Sequence, residues 1–298
     1  MPLNTPSWAA KSFEAVPSPL PENEVISVNL HGLEYACHFR REKKSDGLLV
    51  WLWATAGVDG TRPVIKKRMA GRQLQMDTLI ISDPTLLQRP DLRIGMFFGD
   101  EDHDPIDGVI EIATKCATNI GVPARDIVFV GTSSGGFAAV AAACRLGAGA
   151  ITLNAPLDLP AASEAYPEGK HGRHDFRPNI TSAELAREYP ARSRGASAYK
   201  TIGADTLPRL AIFQNVVDRY QYQGQFLPFC SETGASPTGG RSSDGRILTD
   251  LLNYPEGHHA TKEAVDYVLK TGVPFVRNDP AARGQPSADH KTVKPNSL

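Results

Sequence analysis

Residues 126–146 read DIVFVGTSSGGFAAVAAACRL, from Asp126 to Leu146. The stretch opens on Ile127-Val128-Phe129-Val130, an apolar and largely β-branched run that predicts a buried strand. Gly131-Thr132-Ser133-Ser134-Gly135 follows and fits G-x-S-x-G. Phe137 to Leu146 is rich in Ala and free of Gly and Pro, which predicts a helix packed closely on a sheet. Strand, tight glycine turn and helix together form the context of a nucleophile elbow. The glycines matter because the turn crowds its neighbours and leaves no room for a Cβ. Such a turn lifts the Ser133 hydroxyl clear of the sheet. It also aims the backbone N–H of Ser134 toward the place where an oxyanion forms. A competing reading is a glycine-rich strand-to-helix turn in which Ser133 or Ser134 only caps the helix. Phosphate binding fits less well, since no Lys follows the glycines and G-x-G-x-x-G is absent. No cofactor is expected.

Upstream, Val25–Leu30 and Leu33–Arg40 alternate in polarity around His31-Gly32, which predicts an antiparallel hairpin. Leu48–Trp53 is continuously apolar and reads as a central strand. It runs into the small residues Ala54-Thr55-Ala56-Gly57, and 57–62 read as a flexible loop. Further strands are expected at Thr78–Ile81 and Arg93–Phe98, and an amphipathic helix at Ile106–Ile120. The acidic segment 100–107 has no metal-site spacing. It reads as a solvated loop with its acids beside a helix N-terminus, and no metal is expected.

Downstream, Gly149–Leu153 reads as the next strand, closed by Asn154-Ala155-Pro156. Residues 157–207 are polar and rich in Pro, Gly, His and Arg, with one helix expected at Ser182–Glu188, capped by Thr181 or Ser182. Such a length without strands is too long for an ordinary connection, so it reads as a cap or a partner-binding insertion. Strand character returns at Arg209–Gln214 and Arg246–Leu252, with a Gly/Ser-rich mobile loop expected at 231–245 and a last helix at Ala260–Lys270. The expected organisation is an extended arm at 1–24, a core at 25–156 and 208–276, the insertion at 157–207 and a disordered tail at 277–298. Strands alternating with helices predict an α/β fold, a mostly parallel sheet covered on both faces.

The chain has 298 residues, enough for a full core, with 41% apolar and 22% charged residues. A formal net charge of −1 leaves no electrostatic footprint for nucleic acid. The four cysteines show no C-x-x-C, and Cys116 and Cys144 sit in apolar helical runs as expected buried thiols. With no apolar run of secretory-signal or membrane-spanning length, a cytoplasmic protein is expected.

A serine hydroxyl needs a base to take its proton, usually a His held by a carboxylate. Ser133, Asp218 and His258 each fall just past an expected strand, where sites collect in parallel sheets. Their order is nucleophile, acid, base. His258 competes with His259, and Gly257 favours His258 by freeing its loop. Asp158 is the rival acid. His171 and His174 lie in the insertion and read as substrate-facing or solvent-exposed. The second oxyanion donor is expected from the backbone of Ala54 or Thr55, with Asp83 as a brace for that loop.

Several pieces now resemble the α/β-hydrolase superfamily: Ile81-Ser82-Asp83-Pro84-Thr85-Leu86, the elbow Gly131 to Ala138, Gln214-Asn215-Val216-Val217-Asp218, and Gly257-His258. More narrowly, the chain is similar to bacterial hydrolase-like proteins of capsular polysaccharide biosynthesis and of the accessory secretion system. The family often has Asn-Gly in the loop after the third strand, where this chain has Trp53-Ala54-Thr55-Ala56, and some members carry a His shortly after the Asp, a region held here by Tyr220 and Tyr222. The resemblance implies a Ser133–Asp218–His258 triad and an α/β-hydrolase fold with a cap after the strand that follows the elbow helix. It implies esterase chemistry on a small-molecule or glycan ester, with O-acetyl transfer on a glycan, or glycan or partner binding without catalysis, as alternatives.

Overall fold

In the strand Leu48–Trp53 (β4), Leu48, Val50 and Leu52 belong to one apolar cluster, and Leu49 and Trp51 to a second. The strand Ile127–Thr132 (β6) does the same: Ile127 and Phe129 face one way, Val128 and Val130 the other. A strand turns successive side chains to opposite faces, so continuous apolar runs of this kind are buried on both sides. The computed structural model describes residues 7–57, 59–65, 74–160, 182–193, 199 and 208–277, and it meets that demand with helices on both faces.

Among the described residues the other strands are β1 (Lys11–Phe13), β2 (Val25–Leu30), β3 (Leu33–Arg40), β5 (Asp77–Ser82), β7 (Gly149–Leu153), β8 (Leu210–Asn215), β9 (Gly240–Arg241) and β10 (Ile247–Leu252). They form one sheet in the order β1-β2-β3-β5-β4-β6-β7-β8-β10-β9. From β5 through β4, β6, β7 and β8 to β10 every pairing is parallel, while β2–β3, β3–β5 and β9–β10 are antiparallel. These six parallel strands therefore all end at one edge of the sheet.

One face is covered by α2 (Pro105–Asn119) and α3 (Ser134–Leu146), after a short α1 at Thr85–Gln88. Asp104 caps α2 by accepting from Ile106 N–H, with Pro105 in the first turn. The alanines of α3 let it lie close to the sheet, and Gly147, at φ 70°, ends it in the left-handed conformation. Between β7 and β8 lie α4 (Ser182–Glu188) and α5 (Pro190–Ser193), in the stretch read from sequence as an insertion, and the segment after β8 holds α6 (Arg219–Gln221) and α7 (Leu227–Thr233) around a π-helical turn at Tyr222–Phe226. The other face is covered by α8 (Lys262–Val276), whose Thr261 cap accepts from Ala264 N–H at 3.1 Å.

Four segments differ from the sequence reading. Residues 93–98 form no strand: only Ile94 bridges, to Thr55, because Met96 and Phe97 take φ of 57° and 51°, which breaks extended geometry. Residues 231–245 are not a loose loop. Ser231 to Thr233 end α7, and Gly240–Arg241 pair with β10, pinned by Thr249 Oγ1 donating to the Ser236 carbonyl at 2.6 Å. Within the expected arm, Lys11–Phe13 adds a parallel edge strand to β2, and Val16 and Leu20 enter the core. The last helix also runs further than 260–270, to Val276. The expected tail, apart from Arg277, and most of the insertion lie outside the described residues, with His171, His174 and Thr181 among them.

Candidate active site

Ser133 sits at the hinge between β6 and α3 with φ 51° and ψ −130°, a conformation that costs a non-glycine residue of order 1–3 kcal/mol. Its neighbours hold it there. Ser133 N–H donates to Leu153 at the end of β7 (2.9 Å), and its carbonyl accepts from Gly136 N–H (2.8 Å). A Cβ on Gly131 would run into the backbone of Gly135, and one on Gly135 into the Leu52 carbonyl of β4. Glycine at these positions is therefore a packing requirement of the turn.

The Ser133 side chain makes no capping bond to α3. Its Oγ lies 2.7 Å from His258 Nε2, and His258 Nδ1 lies 2.6 Å from Asp218 Oδ2. A carboxylate can only accept, so the short contact places the imidazole proton on Nδ1 and leaves Nε2 free to accept from the serine. Asp218 is buried and caps α6, its Oδ1 accepting from Gln221 N–H at 3.3 Å. The His258 side chain remains 35% exposed and Ser133 is half-buried.

The rivals stand elsewhere. His259 is exposed, its ring centroid 6.4 Å from that of His258. Asp158 lies at the entry to the insertion, where Gln225 Oε1 accepts from the backbone N–H groups of Leu157 and Asp158. Burial pushes the thiols of Cys116, Cys144 and Cys230 up to about 12 and that of Cys37 upward as well, so none of the four competes as a nucleophile.

Ser134 N–H opens α3, where the first N–H groups have no partner within the helix. Across from it, the segment after β4 pairs with 93–95: Ala56 N–H donates to Arg93 (2.8 Å) and Gly95 N–H to Ala54 (3.1 Å). Thr55 and Ile94 thus form a non-hydrogen-bonded pair, which turns the Thr55 N–H away from Ile94. Asp83 holds this arrangement from below. Its N–H donates to Trp53 (2.8 Å), and its carboxylate accepts from Thr85 N–H (2.9 Å) and Phe97 N–H (2.6 Å). Burial pushes the Asp83 carboxyl up to about 7, against the pull of those donors.

Sequence reading missed two side chains that shape the site. Asn154 and Asn215 are buried at the ends of β7 and β8, and Asn154 takes φ 51°. The signal available was positional only: an Asn directly after an apolar strand, where a left-handed residue is tolerated.

The acidic segment is tied into the fold by arginines. Arg145 meets Asp104 (2.7 Å) and Asp107 (3.0 Å), and Arg192 of α5 meets Asp104 (3.1 Å) and the Asp100 carbonyl (2.9 Å). Among the described residues no group of three or more His, Cys, Asp or Glu is arranged to hold a metal, and no helix is long and apolar enough to cross a membrane.

No family model matches the chain, and no curated protein matches it. Solved structures do. The capsule O-acetyltransferase of Neisseria meningitidis serogroup A is 16% identical with a TM-score of 0.56, over 84% of this chain and 96% of that one. A puromycin hydrolase is 15% identical with a TM-score of 0.61, over 93% of this chain and 42% of its own. Porphyromonas gingivalis dipeptidyl peptidase 4 is 14% identical with a TM-score of 0.57, over 83% of this chain and 34% of its own. At these identities the likeness is one of fold, and the fold is that of the α/β-hydrolases.

Proposed function

We propose that the protein is a serine-dependent acyl-transfer enzyme acting on a carboxylic ester, with Ser133 as nucleophile, His258 as base and Asp218 as acid. The observation that carries this reading is the unbroken chain from Ser133 Oγ through His258 to Asp218, at 2.7 and 2.6 Å, on a strained hinge. Ser133 Oγ attacks the ester carbonyl and gives its proton to Nε2. Asp218 keeps the Nδ1 proton in place and stabilises the imidazolium. The oxyanion is held by the N–H groups of Ser134 and of Thr55, with Ala54 as the alternative donor on that loop. His258 then returns the proton to the leaving alcohol. Water, deprotonated by His258, attacks the acyl-enzyme and frees the acid.

A second reading hands the same acyl group to a glycan hydroxyl in place of water. It is supported by the span of the likeness to the capsule O-acetyltransferase, which takes in nearly all of that chain. A fluorophosphonate probe tests the shared centre. Labelling of the wild type and of Ser134→Ala, but not of Ser133→Ala, is the expected result. Folded wild type that takes no label sinks the enzymatic reading in favour of a glycan- or partner-binding protein. Turnover of a short-chain p-nitrophenyl ester, with and without sugar acceptors, then separates hydrolysis from transfer.

A further inference from the structure

We propose that Asn154 and Asn215 are positioning residues that lock the 254–258 loop to the ends of β7 and β8 and so set where the His258 imidazole stands, a role that rests on the function proposed above. The loop carrying His258 has no regular structure, and Gly257 within it takes φ 62°. Left to itself, such a loop would spread the imidazole over many positions.

The two amides remove that freedom. Asn154 Nδ2 lies 2.8 Å from the Tyr254 hydroxyl, 3.2 Å from the His258 carbonyl and 3.4 Å from the Gly257 carbonyl. Asn215 Nδ2 donates to the carbonyls of Tyr254 (2.9 Å) and Gly257 (2.7 Å), and its Oδ1 accepts from Tyr254 N–H (3.2 Å). The pair is also joined internally, Asn215 N–H donating to Asn154 Oδ1 at 2.8 Å. Asn215 Oδ1 reaches one thing more, the N–H of Val217, in the turn that leads to Asp218 (3.3 Å). One side chain therefore holds both the loop of the base and the approach to the acid. Burial pushes the Tyr254 phenol up to about 12, so it stays a neutral hydroxyl able to accept from Asn154.

An amide is suited to this work because it donates and accepts at once, without the cost of burying a charge. The carbonyls of Gly257 and His258 need donors and the N–H groups of Asn215, Val217 and Tyr254 need acceptors; an amide offers two donor hydrogens beside an acceptor oxygen, where a Ser or Thr hydroxyl offers one donor.

The test uses the full chain as Asn215→Ala, Asn154→Asp and Tyr254→Phe. Asn154→Asp keeps the oxygen that accepts from Asn215 N–H and removes the donors to the loop. Three readouts are taken: kcat and KM on a short-chain ester, thermal melting, and the low-field proton resonance of the His258–Asp218 hydrogen bond. In folded Asn215→Ala and Asn154→Asp, kcat should fall about 100-fold, the loss expected for a displacement on the order of 1 Å, with KM changed less than about threefold. The low-field resonance should broaden or vanish. Tyr254→Phe removes a single acceptor and keeps the proposal testable if the other two do not fold: it should lower kcat about fivefold and broaden the resonance, within the range of one lost buried hydrogen bond. Folded variants with wild-type kcat and an unchanged resonance overturn the proposal. If the wild type takes no fluorophosphonate label and turns over no ester with or without a sugar acceptor, the functional reading fails, and the resonance alone still decides whether the amides hold His258.

Discussion

His258 Nε2 lies 2.7 Å from Ser133 Oγ, although 125 residues separate them in the chain. The contact spans two different loops at the carboxyl edge of the sheet, and the adjacent His259 has no share in it. Ser133→Ala should therefore abolish fluorophosphonate labelling and lower ester turnover by at least about 1,000-fold, with little change in melting temperature. Ser134→Ala should keep both. Among the described residues the buried Ser134 hydroxyl has no hydrogen-bond partner, so deleting it should be neutral or slightly stabilising. Intact mass after labelling and thermal melting check the pair together.

Asp218→Asn should be nearly as damaging for a different reason. An amide Nδ2 facing His258 would donate, forcing the imidazole proton onto Nε2 and leaving no base beside Ser133. A loss on the order of 10,000-fold in kcat is expected, with the fold intact because the remaining oxygen can still cap α6. Steady-state kinetics check this, and a loss under about tenfold would remove Asp218 from the mechanism.

Asp83 makes a prediction about pH. Its carboxyl is raised from the ordinary carboxylate range to about 7, chiefly by burial. Between about pH 4 and pH 7 the native chain thus holds a proton that the unfolded chain has lost. Stability should fall as pH rises through that window and level off above it, by on the order of a few kcal/mol. Other groups titrate nearby, among them Asp77, also raised by burial, so the comparison is with Asp83→Asn. The wild type should lose stability relative to Asp83→Asn from about pH 4 to pH 7, measured by denaturant unfolding at each pH. A difference that rises with pH would show that the accepted hydrogen bonds outweigh burial.

Gly135 tests the elbow's packing. Gly to Ala inside a helix ordinarily stabilises by up to about 1 kcal/mol. Here the added Cβ would meet the Leu52 carbonyl, which is strand backbone and cannot move aside cheaply. Gly135→Ala should instead destabilise by about 2 kcal/mol or more, read as a lower midpoint in urea with an unchanged slope.

The α/β layering was legible because it is written in local pattern. Apolar runs at 48–53, 127–132 and 149–153 occur within a few residues, and each became a buried parallel strand. The turn at 131–135 was legible as the local pattern G-x-S-x-G, and the Gly131 contact with Gly135 is local too, whereas the need for Gly135 comes from the Leu52 carbonyl of a separate strand. Residues 93–98 misled because their apolar character resembles a strand, whereas their conformation is dictated by Asp83, which accepts from Phe97 N–H across a separation of 14 residues.

Ser133, Asp218 and His258 could each be named from the chain alone, as residues that follow strands in the order nucleophile, acid, base. The sequence favoured His258 over His259 and Asp218 over Asp158; the contacts that join His258 to Ser133 and to Asp218, and the hydrogen bonds of Asn154 and Asn215, belong to the tertiary structure. Periodicity specifies which way a side chain faces along its own strand. Which imidazole meets which hydroxyl depends on loops tied by hydrogen bonds between segments 39 to 125 residues apart, and no local pattern records those.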